Sequence, residues 1–249
     1  MNISWSGRGE DIVLNRFYKN IKYGIYMDIG CARPKDGNLT YSLYKQGWNG
    51  IAIDARCGLK KEWEKLRPRD IQIFMPLTKN SREYAIEYNG FRTKLLIKSD
   101  STFEKVQSLS VTDFVSIYQQ NFRRNPDLIK IDIEGFEYNV LRALLNQGIF
   151  ADIYIIEVVD QIGSNFSVRP DTPKIMRIMN QYDYILRLND GVNLWFASKN
   201  FKPKMLNYWA PPYPGSQEKY IPDHLTIKNQ VKLFLIRYLG YKFWSRLFK

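Results

Sequence analysis

Short apolar runs rich in Ile and Val recur along this chain: GIYMDIG at Gly24–Gly30, GIAID at Gly50–Asp54, IQIFM at Ile71–Met75, LIKIDI at Leu128–Ile133 and IYIIEV at Ile153–Val158. Such runs suit strands buried on both faces. Between them lie segments of helical period: Asn38–Gln46 ahead of Gly47, Leu59–Leu66 ahead of Pro68, Val111–Gln120, Phe136–Asn146 ending near Gly148, and Pro173–Gln181. Thr112 is placed to cap the third of these. Strand and helix in alternation give βαβ units and a mostly parallel sheet.

Two departures mark the pattern. REYAIEY and FRTKLLI flank Asn89-Gly90, a strong hairpin signal, so residues 82–98 read as an inserted β-hairpin. Asp190-Gly191 separates Tyr184–Leu188 from Leu194–Ala197 and makes the last two strands antiparallel. The expectation is a doubly wound α/β fold whose seven-stranded, mostly parallel sheet carries an inserted β-hairpin. At 249 residues, 45% of them hydrophobic, one core is the default. Residues 1–205 read as that domain, and 206–249 as a Pro/Tyr-rich linker followed by a basic amphipathic helix.

In open α/β sheets ligands bind beyond the carboxyl ends of the strands, where strand order reverses. Three strand ends carry polar chemistry. The first gives Asp28 and Gly30, then Cys31. The second gives Asp54-Ala55, where an acid can accept hydrogen bonds from both ribose hydroxyls of an adenosine. The fourth gives Asp132-Ile133-Glu134-Gly135, and strand alternation puts Lys130, Asp132 and Glu134 on one side. Each has a plainer reading: Gly30 as a turn, Asp54 as a strand-end acid or cap, Asp132 and Glu134 as partners of Lys130. The conjunction at βαβ spacing is more specific than any one of them.

These segments resemble the FkbM-type methyltransferases, a class I S-adenosylmethionine-dependent family. The resemblance runs through GRGEDIVLNRFY, GIYMDIGCARPKDGNLTYSLYKQGWNGIAIDA, SVTDFV and LIKIDIEGFEYNVLRAL, with Glu137 in the last and a following strand that ends in Glu157. It covers roughly residues 7 to 160. It implies that Asp28, Gly30 and Cys31 approach the methionine part of S-adenosylmethionine, that Asn38 and Thr40 shape the neighbouring pocket, and that Asp54 holds the ribose. It also implies O-methylation of a carbohydrate or glycolipid acceptor. The chain departs from many class I enzymes at the glycine-rich turn, where Cys31-Ala32-Arg33-Pro34 follows Gly30.

Rival chemistries lack their residues. The Asp/Asn-Pro-Pro-Tyr run common in enzymes that methylate base amino groups is absent after the fourth strand, as is the full Gly-x-Gly-x-x-Gly fingerprint of hydride transfer. The one histidine, His224, lies outside the apparent domain. A hydroxyl acceptor must lose its proton as it attacks the methyl group, which leaves Asp132 or Glu134 as base. Alternatively, a divalent metal held by Asp132, Glu134 and Glu157 would lower the hydroxyl's pKa.

The net charge is +12, and six Lys or Arg with no acid fall within Thr226–Lys249. If that segment is one helix, Lys228, Lys232, Lys242, Arg246 and Lys249 share a face opposite Leu233, Phe234, Tyr241, Trp244, Leu247 and Phe248, with Arg237 on the wrong side and Gly240 a place for a kink. Such a helix suits an anionic membrane surface, and equally a face docked on protein. With the charge concentrated there, a nucleic-acid partner is disfavoured, although a non-catalytic or nucleic-acid-binding module of this fold is the second class that the charge supports. Two cysteines without metal-ligand spacing, no secretory pattern at the start and no run of about 20 apolar residues point to the cytoplasm, with the tail at the inner membrane face.

Overall fold

The computed structural model describes residues 4–7, 9–89, 92–96, 104–162 and 165–201. The expected linker and terminal helix lie outside the described residues. Seven strands form the central sheet: β1 (Ile25–Ile29), β2 (Asn49–Ile53), β3 (Ile71–Ile73), β4 (Leu128–Ile131), β5 (Ile153–Glu157), β6 (Tyr184–Asn189) and β7 (Asn193–Ser198). Their order is β6-β7-β5-β4-β1-β2-β3, and only β7 runs against its neighbours. The order reverses between β1 and β4, so those two carboxyl ends flank the crevice.

Helices α1 (Glu10–Phe17) and α2 (Tyr41–Lys45) cover one face, α4 (Val111–Asn121), α5 (Glu137–Asn146) and α6 (Thr172–Gln181) the other, and α3 (Lys60–Leu66) follows β2 after a 3-10 turn. Strand alternation sorts the core. Met27, Ile29, Ile129, Ile131, Tyr154 and Ile156 pack with Phe114, Leu141, Leu144 and Met179 of α4–α6. Tyr26, Leu128 and Ile155 pack with Leu14, Leu43 and Trp48 on the α1–α2 side. Each fully buried Leu, Ile or Phe contributes about 1.5–3 kcal/mol.

The same alternation sends Asp28 and Lys130 to the α1–α2 side, and strand register makes them direct neighbours. They do not stand alone there. Arg67, fully buried, spends all five of its N–H donors. Nε reaches Asp70 (2.7 Å), Nη1 the Pro34 carbonyl and Asn38, and Nη2 the Tyr26 hydroxyl and Thr40.

Several expected details change. Ser110, not Thr112, caps α4, its hydroxyl accepting from the Asp113 N–H at 3.1 Å. Ser110 keeps the extended backbone that a cap needs, while Thr112 is already in the first turn. The inserted hairpin, Glu83–Asn89 with Arg92–Leu96, gains a third strand, Glu104–Gln107, that pairs with its first. The stretch after β5 forms a hairpin too, Val159–Ile162 with Asn165–Val168. Finally, β4 ends at Ile131, so Glu134 is not on a strand: it sits in a tight turn with φ +54°.

Candidate active site

The carboxyl ends of β1, β2 and β4 open into a cavity of about 270 Å³ lined by Gly30, Ala32, Asp54, Ala55, Arg56, Met75, Pro76, Leu77, Asp132, Glu134 and Glu157. Thr93 and Leu95 of the inserted sheet reach it as well. Gly30 turns the chain at φ +81°, and its N–H donates to the Ile53 carbonyl at 2.8 Å. That turn crosses the end of β4 so closely that a β-carbon at Gly30 would lie 1.7 Å from the Asp132 carbonyl oxygen. Only glycine fits both demands. Two residues on, Ala32 takes φ +52°, a conformation glycine supplies more cheaply, and is tied down by its N–H on Asp54 Oδ2 (2.7 Å) and its carbonyl under the Trp63 indole N–H (2.7 Å).

Of the residues expected at the cofactor, Gly30, Asp54 and Ala55 line the cavity. Asp28, Asn38 and Thr40 lie behind its wall, each at most 2% exposed. Thr40 Oγ1 and Asn38 Nδ2 donate to Asp28 Oδ2 (2.7 and 3.2 Å), and the Asn38 amide also holds the Cys31 carbonyl (2.8 Å). Joined to Arg67, they form a framework that fixes the turn from beneath. Cys31 is buried against Trp63 and Ala52, and burial pushes its thiol pKa up.

The strand-end set Lys130, Asp132 and Glu134, from which the catalytic groups were expected, divides. Lys130 Nζ donates to the Gly30 carbonyl (2.5 Å) and pairs with Asp132 Oδ2 (3.1 Å) and Asp28 Oδ1 (3.7 Å). Burial alone would lower its pKa, but Asp132 and Asp28 outweigh that and raise it, so the ammonium stays charged and acts as a strut, not a base. Asp132, Glu134 and Glu157 come together, with one oxygen of each within 4.8 Å of the others. Asp132 presents 35% of its side chain to the opening.

Sequence reading missed the residue that assembles this cluster. Arg169, 5% exposed, follows the second hairpin and meets four carboxylates: Glu134 (3.0 Å), Glu157 (2.6 Å), Asp160 (2.6 Å) and Glu137. Glu137 in turn accepts from the backbone N–H groups of Ile133 and Gly135, which holds the turn that carries Glu134. The apolar wall Met75–Pro76–Leu77, just past β3, was also missed. Burial, then the charge of Asp132, drives the Glu157 pKa up to about 9 despite Arg169. For Asp132, burial is overcome by Lys130 and by the proton that Glu157 shares, and its pKa falls. Asp132 and Glu157 thus titrate as a pair, with Glu157 pushed up and Asp132 pushed down.

The site fits an adenosine-bearing cofactor. A carboxylate stands at the end of β2 where a ribose would be held, the apolar side chains of Met75, Pro76 and Leu77 line the cavity, and the buried Asp28 Oδ1 beneath the turn accepts no hydrogen bond. The three carboxylates also suit a hard divalent cation, which takes oxygen ligands.

A family model described as the methyltransferase FkbM domain matches residues 28–186, well over half of the chain. No curated protein matches it in sequence. Similar solved structures include the 1,6-didemethyltoxoflavin-N1-methyltransferase of Burkholderia thailandensis with bound 1,6-didemethyltoxoflavin and S-adenosylhomocysteine, at 10% identity over 78% of each chain with a TM-score of 0.40. A TehB-like S-adenosylmethionine-dependent methyltransferase from Corynebacterium glutamicum is 12% identical over 78% of this chain and 89% of that one, with a TM-score of 0.41. Both likenesses are too remote to bear on the site. Sheet order, the strand-end carboxylate and the family match agree: the chain belongs to the FkbM methyltransferase domain family and is an S-adenosylmethionine-dependent methyltransferase of the class I, Rossmann-like fold.

Proposed function

We propose that the chain transfers the methyl group to a hydroxyl of a carbohydrate or glycolipid. The observation that carries this reading is the grouping of Asp132, Glu134 and Glu157 on the wall that also holds Asp54. A carboxylate beside the acceptor orients a hydroxyl by accepting its hydrogen bond and takes the proton as the carbon–oxygen bond forms. A divalent cation on the same three residues would lower the hydroxyl's pKa. Glu157 and Arg169 hold Asp132 and Glu134 in place, and Lys130 keeps the Gly30 turn against them.

The cavity lining is rich in carboxylate acceptors, Asp54, Asp132, Glu134 and Glu157, held in place by Arg56, Lys130 and Arg169. Sugar hydroxyls are donors that such acceptors suit. For location, we favour the cytoplasm with the basic tail at the inner membrane face, where a lipid-linked acceptor would be presented. The test is transfer of label from methyl-labelled S-adenosylmethionine into fractionated glycans and lipids of the source cell. Label in hydroxyl ethers of a glycan supports the reading; label confined to RNA, DNA or protein overturns it.

A further inference from the structure

Asp54 is a carboxylate whose acceptor positions are already filled. An ionised carboxylate offers about four lone-pair sites. Oδ1 accepts from the Arg56 backbone N–H and from Arg56 Nε, both at 2.9 Å, while Oδ2 accepts from the Ala32 N–H at 2.7 Å and from Arg56 Nη2 at 3.2 Å. The two backbone donors belong to the turns that shape the site and cannot leave without unmaking it. The other two donors come from one side chain, which lies on the cavity wall.

A ribose brings two adjacent hydroxyl donors matched to the two oxygens of one carboxylate. The Nε–Nη2 edge of a guanidinium presents the same pair of donors to the same two oxygens. We propose that Arg56 competes with the ribose diol for Asp54, so that its guanidinium must leave the carboxylate when the cofactor binds and thereby sets both affinity and selectivity for a ribonucleoside. This rests on the cavity being the S-adenosylmethionine site.

The pair is strong enough to matter. The Asp54 side chain is 7% exposed and that of Arg56 18%, so the contact is largely shielded from water and salt. The departing guanidinium keeps an electrostatic partner, since Asp132 on the same cavity attracts it. A nucleoside without hydroxyls has nothing to exchange for Arg56 and leaves it in place. Arg56 thus tempers the site's preference for a ribonucleoside, because only a ligand that brings the diol must displace it.

The experiment is calorimetric titration of the full chain with S-adenosylhomocysteine, adenosine and 2′,3′-dideoxyadenosine, in wild type, Arg56→Met, Arg56→Gln and Asp54→Asn. Circular dichroism establishes that each variant is folded. Both Arg56 variants are expected to bind S-adenosylhomocysteine and adenosine about tenfold tighter than wild type, a difference of about 1.4 kcal/mol, with dideoxyadenosine unchanged. Asp54→Asn should abolish the distinction between adenosine and its dideoxy form. Equal or weaker binding of S-adenosylhomocysteine to the Arg56 variants overturns the proposal, as does an equal gain for dideoxyadenosine, which would mean that Arg56 only occupies space. No heat with S-adenosylhomocysteine in any folded protein overturns the cofactor reading itself, and the proposal with it.

Discussion

The backbone of Gly30 rests on the carbonyl of Asp132, with no room for a β-carbon between them. The turn that approaches the cofactor and the strand end that carries the carboxylates are therefore one unit, locked further by Lys130 reaching from β4 to the Gly30 carbonyl. Gly30→Ala should disturb both halves at once. The left-handed backbone alone costs an alanine about 1–2 kcal/mol, and the overlap with a backbone carbonyl adds to it. Denaturant melts should show that loss of stability, and calorimetry a loss of S-adenosylhomocysteine binding in whatever stays folded. A variant with wild-type stability would mean that the two turns are not in contact.

Arg169 should prove the most sensitive cation in the domain. Removing it leaves Glu137 buried without its counter-charge, and breaking such a pair costs about 3–5 kcal/mol. The loss has a pH signature. Glu137 and Glu157 already have folded-state pKa values above their unfolded ones, Glu157 at about 9. A raised carboxylate pKa means that the folded state holds the extra proton, so stability falls as pH rises. For Glu157 that fall spans from about 4.5 to about 9 in wild type. Arg169→Met removes what holds both values down, so the deficit against wild type should be small near pH 4, grow as pH rises past the wild-type pKa of Glu137, and gain a Glu157 contribution only above about pH 9. A deficit that does not change with pH would show that Arg169 contributes packing only.

The two cysteines should differ in reactivity. Cys31 is 2% exposed, with its thiol pKa raised by burial, whereas Cys57 is exposed. The thiolate is the reactive form. Iodoacetamide on native protein should therefore alkylate Cys57 and spare Cys31, and both should react in denaturant. Prompt modification of native Cys31 would mean that the turn after β1 opens readily.

What could be read from the sequence follows a physical division. Strands β1, β2, β4 and β5 are buried on both faces and announce themselves as aliphatic runs. The strand Glu104–Gln107 does not: it is charged and largely exposed, and exists because it pairs with Glu83–Ile86. The hairpin after β5, VDQI with NFSV, has no aliphatic run to announce it and shows only through its pairing. In the site, Asp54, Asp132, Glu134 and Glu157 were visible because each stands where an aliphatic run stops. Arg169 was not, since its role comes from a fold that returns it across the ends of β4 and β5. The signal for it was indirect: acids at 132, 134, 137, 157 and 160, with Lys130 alone beside them, required another cation. Arg67 sends no such signal, and without it the framework role of Asp28, Asn38 and Thr40 could not be told from contact with a ligand.

The basic tail makes a prediction from sequence alone, because residues 202–249 lie outside the described structure. Six cations and no acid in 24 residues would each contribute about 1 kcal/mol near an anionic surface. Full-length protein should float with anionic vesicles, less so as salt rises, and a chain ending at Asp223 should not. Failure of the full chain to bind those vesicles removes the membrane reading.

The carboxylates give the sharpest test of chemistry. Asp132→Asn and Glu134→Gln remove a charge with little change of shape, and the hydrogen bonds that hold Asp54 come from Ala32 and Arg56. Both variants should fold and bind S-adenosylhomocysteine, and both should lose turnover on a defined acceptor by about 100-fold or more, the usual range for a displaced acid–base group. Adding a chelator to wild type separates the two versions of the mechanism. If activity vanishes and returns with magnesium or manganese, Asp132, Glu134 and Glu157 act as ligands; if it persists, the carboxylate itself accepts the proton. Unchanged turnover in both variants would mean that the three acids are Arg169's structural partners and that the acceptor loses its proton elsewhere.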